Sequence, residues 1–386
     1  MVAIRRELLS LFVAAVAINL AGNIVGPFLP LYLQSLEAPV VIVGLLLSLI
    51  NLAQAIVRIP GGVIADRFEE RRVLVLVLLL AMVPPVALLL VNHWSQTIPW
   101  LFVYGVPFSL FTPLWNVTIA KNSEDGHRAR VFGLMNMAFP VGVIVGPLVG
   151  GVLAETIGWS GVLYSLLVVY LAGFVSVVLA TRHTSSSGVV RSRVGRVDAR
   201  PFVLYVLFQC LVAFGYGSVN PILPLYITSI LGASKGLVGL FWTVCFGLTF
   251  LLTQVPGGRL AERLPLHRSL LFGVLAAPLL LVMMPLYENL AWFLVLNVVL
   301  NALWNLSVPA GNVLFLDLLP EGGRGFYTGV CEAAIMLAWT VAPSLSAFLY
   351  DGLGYAVPFF ASAVFFGMAA VSTRSFRSIS SSSASA

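Results

Sequence analysis

Long apolar runs, each closed off by a short polar cluster, follow one another along almost the whole chain. A helix needs about 20 apolar residues to cross about 30 Å of hydrocarbon, where no water is present to satisfy backbone N–H and C=O groups. The pattern predicts twelve spans, at 8–33, 40–64, 73–91, 98–120, 131–154 and 159–180, then 201–230, 236–260, 269–287, 290–318, 326–349 and 355–373. The first run follows Arg5 and Arg6 as a signal peptide would. Its length, its lack of a small-residue cleavage site and its Pro27 and Pro30 predict instead that it stays as span 1.

The pattern breaks once, midway, where residues 182–200 carry arginines among Thr184, Ser185, Ser186, Ser187 and Gly188, which predicts a flexible linker. The organisation expected is a first bundle over 1–181, the linker, a second bundle over 201–373 and a serine-rich disordered tail over 374–386. The two bundles repeat each other. Pro27-Phe28-Leu29-Pro30-Leu31-Tyr32 aligns with Pro221-Ile222-Leu223-Pro224-Leu225-Tyr226, and Val43-Gly44-Leu45 with Val238-Gly239-Leu240. Pro60-Gly61-Gly62 aligns with Pro256-Gly257-Gly258, so the offset drifts only from 194 to 196. Repeated halves with polar helix faces between them characterise secondary transporters, in which one bundle rocks against the other around a midplane site. The chain has no Gly-x-x-x-x-Gly-Lys phosphate cradle, which points to a gradient as the driving force.

Composition closes several alternatives. With 60% hydrophobic and 9% charged residues over 386 positions, a water-soluble fold is excluded. Nineteen of the 21 Lys and Arg residues fall on alternate connections, which predicts a multi-pass cell-membrane protein with both termini cytoplasmic. The net charge of +6 is spread over those short connections, as insertion and anionic lipid require, rather than forming a nucleic-acid surface. Cys210, Cys245 and Cys331 lie in three different runs, and His93, His127, His183 and His267 lack ligand spacing. No metal, cofactor or catalytic constellation is read, and no enzyme is expected.

The motif Gly61-Gly62-Val63-Ile64-Ala65-Asp66-Arg67-Phe68-Glu69-Glu70-Arg71-Arg72 resembles the signature between helices 2 and 3 of the major facilitator superfamily, and the resemblance extends over all twelve spans. It implies that superfamily's all-α membrane fold, two pseudo-symmetric six-helix bundles working by alternating access. It also implies a gating latch in which Gly61 and Gly62 allow close approach, Asp66 faces a helix N-terminus near Gly325, and Arg67, Arg71 and Arg72 pair with acids or lipid. A plain topology anchor is the alternative. Gly133, Gly142, Gly146-Pro147 and Gly150-Gly151 in span 5 resemble the motif of proton-coupled exporters, here a sliding or sealing contact, with ordinary small-residue packing as the alternative. The second half keeps only Ala342-Pro343 of it, which predicts that the contact is not a requirement of span 11. Leu20, Pro27 and Pro30 resemble a pattern of twelve-helix drug exporters, while the arginine those carry on span 4 is absent, Leu101 standing four residues before Gly105.

Ionisable groups inside spans are few, and each costs about 3 kcal/mol or more at mid-membrane. Glu332, some six residues into predicted span 11, and Asp66, which also belongs to the gating latch, are the proton-coupling candidates; the alternative for Glu332 is a structural hydrogen bond. Arg58 shares a face with Asn51 and Gln54 and either binds an anionic group or snorkels. Span 10 carries Asn297, Asn301, Trp304, Asn305 and Asn312 within about 100° of one another. In the superfamily it resembles, helices 1, 4, 7 and 10 line the cavity. The substrate-site candidates are therefore Asn19, Asn23, Arg58, Trp115, Asn116, Gln209, Tyr216, Asn301, Trp304 and Asn305, with interhelical hydrogen bonding as the alternative for each. The leading expectation is a monomeric, proton-coupled exporter of small amphipathic or weakly polar compounds in contact with membrane lipid. The second is an importer or facilitator of a small polar solute such as a sugar, and the third a non-transporting receptor.

Overall fold

The computed structural model of the chain describes residues 6–122, 137–180, 197–320 and 324–376, and among these every regular element is helical. Gly133, most of the linker and the tail beyond Phe376 lie outside the described residues. Eleven helical stretches among the described residues are long and apolar enough to cross a membrane. Span 4, at Ile98–Asn122, is a further helix of 25 residues.

Several spans read as continuous runs are broken, in spans 1 and 7 at prolines. Span 1 runs as Arg6–Val25, a 3₁₀ turn Gly26–Phe28, and Leu29–Ser35. Proline has no N–H and its ring collides with the carbonyl four residues back, so Pro27 and Pro30 open new helical turns instead of continuing the old one. Span 7 repeats the device: Ala199–Gly217, then turns, then Leu223–Ser229 with Pro224 in its first turn. Span 8 has a different interruption. Lys235–Trp242 passes through a π-helical stretch, Thr243–Leu248, into Thr249–Arg263, whereas its repeat partner, span 2, is one helix over Val40–Arg67. The remaining helices are span 3 Glu70–Leu88, span 5 Ala138–Thr156, span 6 Trp159–Ala180, span 9 Leu266–Leu275 and Ala277–Met283, span 10 Leu290–Leu318, span 11 Arg324–Leu353 and span 12 Val357–Ser372. Thr373–Phe376 then forms a 3₁₀ turn with Phe376 fully buried, so ordered chain continues into the residues expected to be tail.

Close contacts divide the chain into two units. The first holds Met1–Pro39, Leu49–Val190 and Ser234–Thr243; the second holds Val40–Ser48, Arg191–Ala233 and Val244–Ala386. The exchanged segments are the first parts of spans 2 and 8, and they end at positions matched in the repeat, Ser48 and Thr243. Within the first unit, span 1 packs along spans 5 and 6, and span 3 along spans 4 and 6. Within the second, span 10 packs along spans 8 and 9, and span 7 along spans 11 and 12. Large side chains fill each core: Leu11, Ile24, Phe28 and Leu78 in the first, Phe208, Phe293, Phe359 and Phe366 in the second. Many large apolar side chains, mostly Leu, Val and Phe, are exposed along the spans, as a lipid-facing surface requires.

Candidate functional site

In the first unit, span 5 is a ladder of glycines standing against span 1. A Cβ at Gly142 would lie 2.7 Å from the backbone of Asn19, one at Gly146 would lie 2.6 Å from Asn23 Cβ, and one at Gly150 would overlap the Ile24 carbonyl oxygen. The next residue, Gly151, turns to the opposite side and meets the exchanged segment of span 8, with Lys235 O at 2.8 Å and Gly236 Cα at 3.2 Å from an added Cβ. Gly239 answers it from span 8, since a Cβ there would overlap the Pro147 carbonyl oxygen. Thr243 Oγ1 donates to Ile144 O at 2.8 Å and closes this joint.

The second unit contains the same joint made from the matched residues. A Cβ at Gly44 of span 2 would overlap Ala347 Cβ and lie 2.6 Å from Pro343 O on span 11. Ser48, the counterpart of Thr243, shares a hydrogen bond of 2.6 Å with Ser344 Oγ and accepts from Ser344 N. Span 11 thus makes such a contact although it keeps only Ala342-Pro343 of the span 5 motif. Alanine at 347 suffices where span 5 uses glycine, because the glycine that permits the approach is on the partner helix. The sequence held a signal for it in the repeated Val-Gly-Leu of spans 2 and 8.

The end of the first joint carries a polar clasp that the sequence did not reveal. Span 5 stops in a Schellman-type turn, with Gly158 at φ +87° and its N–H on Leu153 O, which leaves Glu155 in the last helical turn. Its carboxylate accepts from Ser234 Oγ at 2.9 Å and from Gly236 N at 2.7 Å, at the N-terminus of span 8, where a helix end favours negative charge. Gly236 lets it come so near, because a Cβ there would sit 2.5 Å from the same carboxylate oxygen. Lys235 completes the clasp, its ammonium 4.6 Å above the Trp159 ring and its Nζ 3.5 Å from Ala154 O.

At the other end of the first unit, Gly61 packs on Leu110 and Ser109 of span 4. Arg71 donates to Val178 O at 3.0 Å, a carbonyl in the last turn of span 6, and Arg72 pairs with Glu69 at 3.0 Å. The side chains of Asp66, Arg67 and Asn116 and the surroundings of Gly62 lie outside what the structure describes. Asn19 and Asn23 are half-buried, each donating to the carbonyl four residues back on span 1, while Gly142 and Gly146 seat against their Cα–Cβ ends. Trp115 stacks on Phe111 of its own helix with centroids 5.6 Å apart. Arg58 is half-buried and engaged.

In the second unit the candidates converge. Tyr216, Asn220, Asn297 and Asn301 line one enclosed cavity of about 10 Å³ together with Ser362 and Phe366, room for about one water. Trp304 stands edge-on to Tyr216 at 5.9 Å. The Tyr216 hydroxyl is buried and has no hydrogen-bond partner among the described residues. Asn297 and Asn301 donate to Phe293 O and Asn297 O along their own helix. Of the predicted stripe, Asn297, Asn301 and Asn305 are buried and Asn312 is exposed, so the polar face is shorter than the sequence suggests. Gln209 is half-buried on span 7. Glu332 is half-buried beside the buried Cys331 and, because span 11 begins at Arg324, stands about 12 Å along its helix instead of about 9 Å.

The sequence model of the Major Facilitator Superfamily matches residues 11–207 and 205–383. The chain belongs to the major facilitator superfamily. It is therefore a multi-pass membrane transporter and not an enzyme, a secondary transporter by family. Its relatives include the multidrug resistance protein MdtG of Serratia proteamaculans, 28% identical over 80% of this chain and 79% of that one. Others are MdtH of Yersinia enterocolitica, 26% identical over 83% and 80%, and the cis,cis-muconate transport protein of Acinetobacter baylyi, 23% identical over 81% of each. Among solved structures, a bacterial homolog of the human lysosomal transporter Spinster superposes with TM-score 0.80 over 96% of this chain and 97% of that one, at 16% identity. A D-xylose–proton symporter gives 0.75 over 95% and 96% at 14% identity. These superfamily likenesses bear on the fold.

Proposed function

We propose that this chain is a proton-coupled exporter of small amphipathic or weakly polar compounds, working by alternating access with both termini in the cytoplasm. The observation that carries this reading is the pair of matched glycine joints. Gly239 against Pro147 and Gly151, and Gly44 against Pro343 and Ala347, are smooth backbone contacts at equivalent places in the repeat. Such contacts close tightly and part without disrupting interlocked side chains, which is what a reversible seal needs. The multidrug resistance relatives supply the substrate class, and the span 5 glycines the exporter type.

Substrate binds on the polar face of spans 7 and 10, where Tyr216, Asn301 and Trp304 offer one hydroxyl, one amide and one ring at a single place. Glu332 takes a proton in one state and gives it up in the other, while Asp66 with Arg67, Arg71 and Arg72 latches the cytoplasmic end. A second reading, import of a small polar solute, draws on the muconate transport relative and on the amide-rich cluster. Everted membrane vesicles separate the two. Export predicts accumulation of an amphipathic fluorescent dye under an inside-acid gradient, lost in Glu332→Gln; uptake indifferent to that gradient and to the substitution sinks the proton role.

A further inference from the structure

One groove in the second unit is used by nothing described above. It runs between spans 9 and 12, has a volume of about 980 Å³, and changes character along its length. One end is cationic, with Arg268 in the first turn of span 9 and Arg374 just past span 12, both exposed, and His267 beside them. The rest is apolar, walled by Leu271, Phe272, Leu275 and Val371, of which Phe272, Leu275 and Val371 are 46%, 62% and 62% exposed.

We infer that this groove is a binding site for one anionic phospholipid, its phosphate held by Arg268 and Arg374 and an acyl chain laid along the apolar wall. Three features select that occupant. The two guanidinium groups form fixed forks suited to phosphate oxygens. From Arg268 to Pro278 is ten residues, about 15 Å of helix, which is half of a hydrocarbon layer of about 30 Å and so the depth of one leaflet. The charges lie at the end where span 9 begins and span 12 finishes, so headgroup and chain meet the groove in the order a bilayer presents them. A basic pocket between spanning helices is where anionic headgroups are held. Gly367 keeps the wall open, since a Cβ added there meets nothing closer than Pro278 Cγ at 3.9 Å.

Native mass spectrometry of the detergent-purified full chain tests this. Phosphatidylglycerol is expected to form a one-lipid adduct at least fivefold more abundant than phosphatidylcholine does. Arg268→Gln with Arg374→Gln reduces it to the phosphatidylcholine level, and Gly367→Leu, which fills the groove without altering charge, lowers it at least threefold. Arg259→Gln with Arg263→Gln, two charges on neighbouring span 8, leaves it in place. Survival of the adduct in both groove variants, or its equal loss in the span 8 pair, overturns the proposal. So does inorganic phosphate abolishing the adduct at millimolar concentration, which marks a free-anion site. Should the double arginine variant fail to fold by circular dichroism, Gly367→Leu carries the test alone.

Discussion

At the scale of single residues, the Tyr216 hydroxyl is the clearest departure from what a stable interior requires. A buried hydroxyl without a partner costs about 1–3 kcal/mol, and among the described residues Tyr216 has none. Tyr216→Phe should therefore leave the ligand-free protein as stable or raise its melting temperature by a few degrees, while raising KM for transported substrate several-fold. A fall in stability with unchanged KM would assign the hydroxyl to packing. Glu155 makes the opposite prediction. Its carboxylate holds the Gly236 N–H, so Glu155→Ala should speed hydrogen exchange over residues 234–238 by about fivefold, the usual scale of a lost helix cap. Exchange unaltered there would mean that the clasp holds nothing shut. Neither role was legible in the sequence. Glu155 is an exposed acid near a turn, and only the fold brings it to Ser234, 79 positions away. Tyr216 was legible as a polar-faced aromatic, but not as one lacking a partner.

At the scale of elements, hydrophobic periodicity located the spans because lipid imposes one pattern on every helix that crosses it. It did not mark the breaks within spans 1 and 7, although Pro27 and Pro224, which act through local backbone chemistry, stand at them. The π-helical stretch Thr243–Leu248 escaped detection. Its residues, Thr-Val-Cys-Phe-Gly-Leu, fit the apolar pattern of a span, and the stretch begins at Thr243, which donates to Ile144 O, just past Gly239 on Pro147. The same limit hid the second joint: the repeated Val43-Gly44-Leu45 announced a shared role without naming the helix it meets. Two substitutions test the joints. Gly239→Val places a branched side chain against the Pro147 carbonyl, and overpacking of that kind costs about 1–3 kcal/mol. Transport should fall at least tenfold while the protein still inserts and elutes as a single species, and normal transport would show that the seam has slack. Ser48→Ala and Ser344→Ala should each lower thermal stability, and the double variant should cost less than their sum by about 0.5–1.5 kcal/mol, because they share one hydrogen bond. Additive losses would mean that the pair does not interact.

At the scale of the whole molecule, a chain of 386 residues carries two copies of a six-span plan, and the function proposed above rests chiefly on the residues at which the copies differ. The joints are shared, with Gly44 answering Gly239 and Ser48 answering Thr243. Glu332, the span 5 glycines and the enclosed Tyr216 cavity are not. That division is partly legible in the sequence, since the alignment of the two halves separates matched positions from unmatched ones. The neighbours of the unmatched ones are not, because they come from helices far apart in the chain. Proton-coupled export, as proposed, exchanges substrate leaving one side for protons entering from the other. Purified protein in liposomes that carry a pH-sensitive dye and an outwardly directed gradient of an amphipathic substrate reads this directly. Exchange predicts that the lumen acidifies as substrate leaves, and that Glu332→Gln abolishes the signal. A lumen that turns alkaline, or whose pH does not move while substrate escapes, would contradict it.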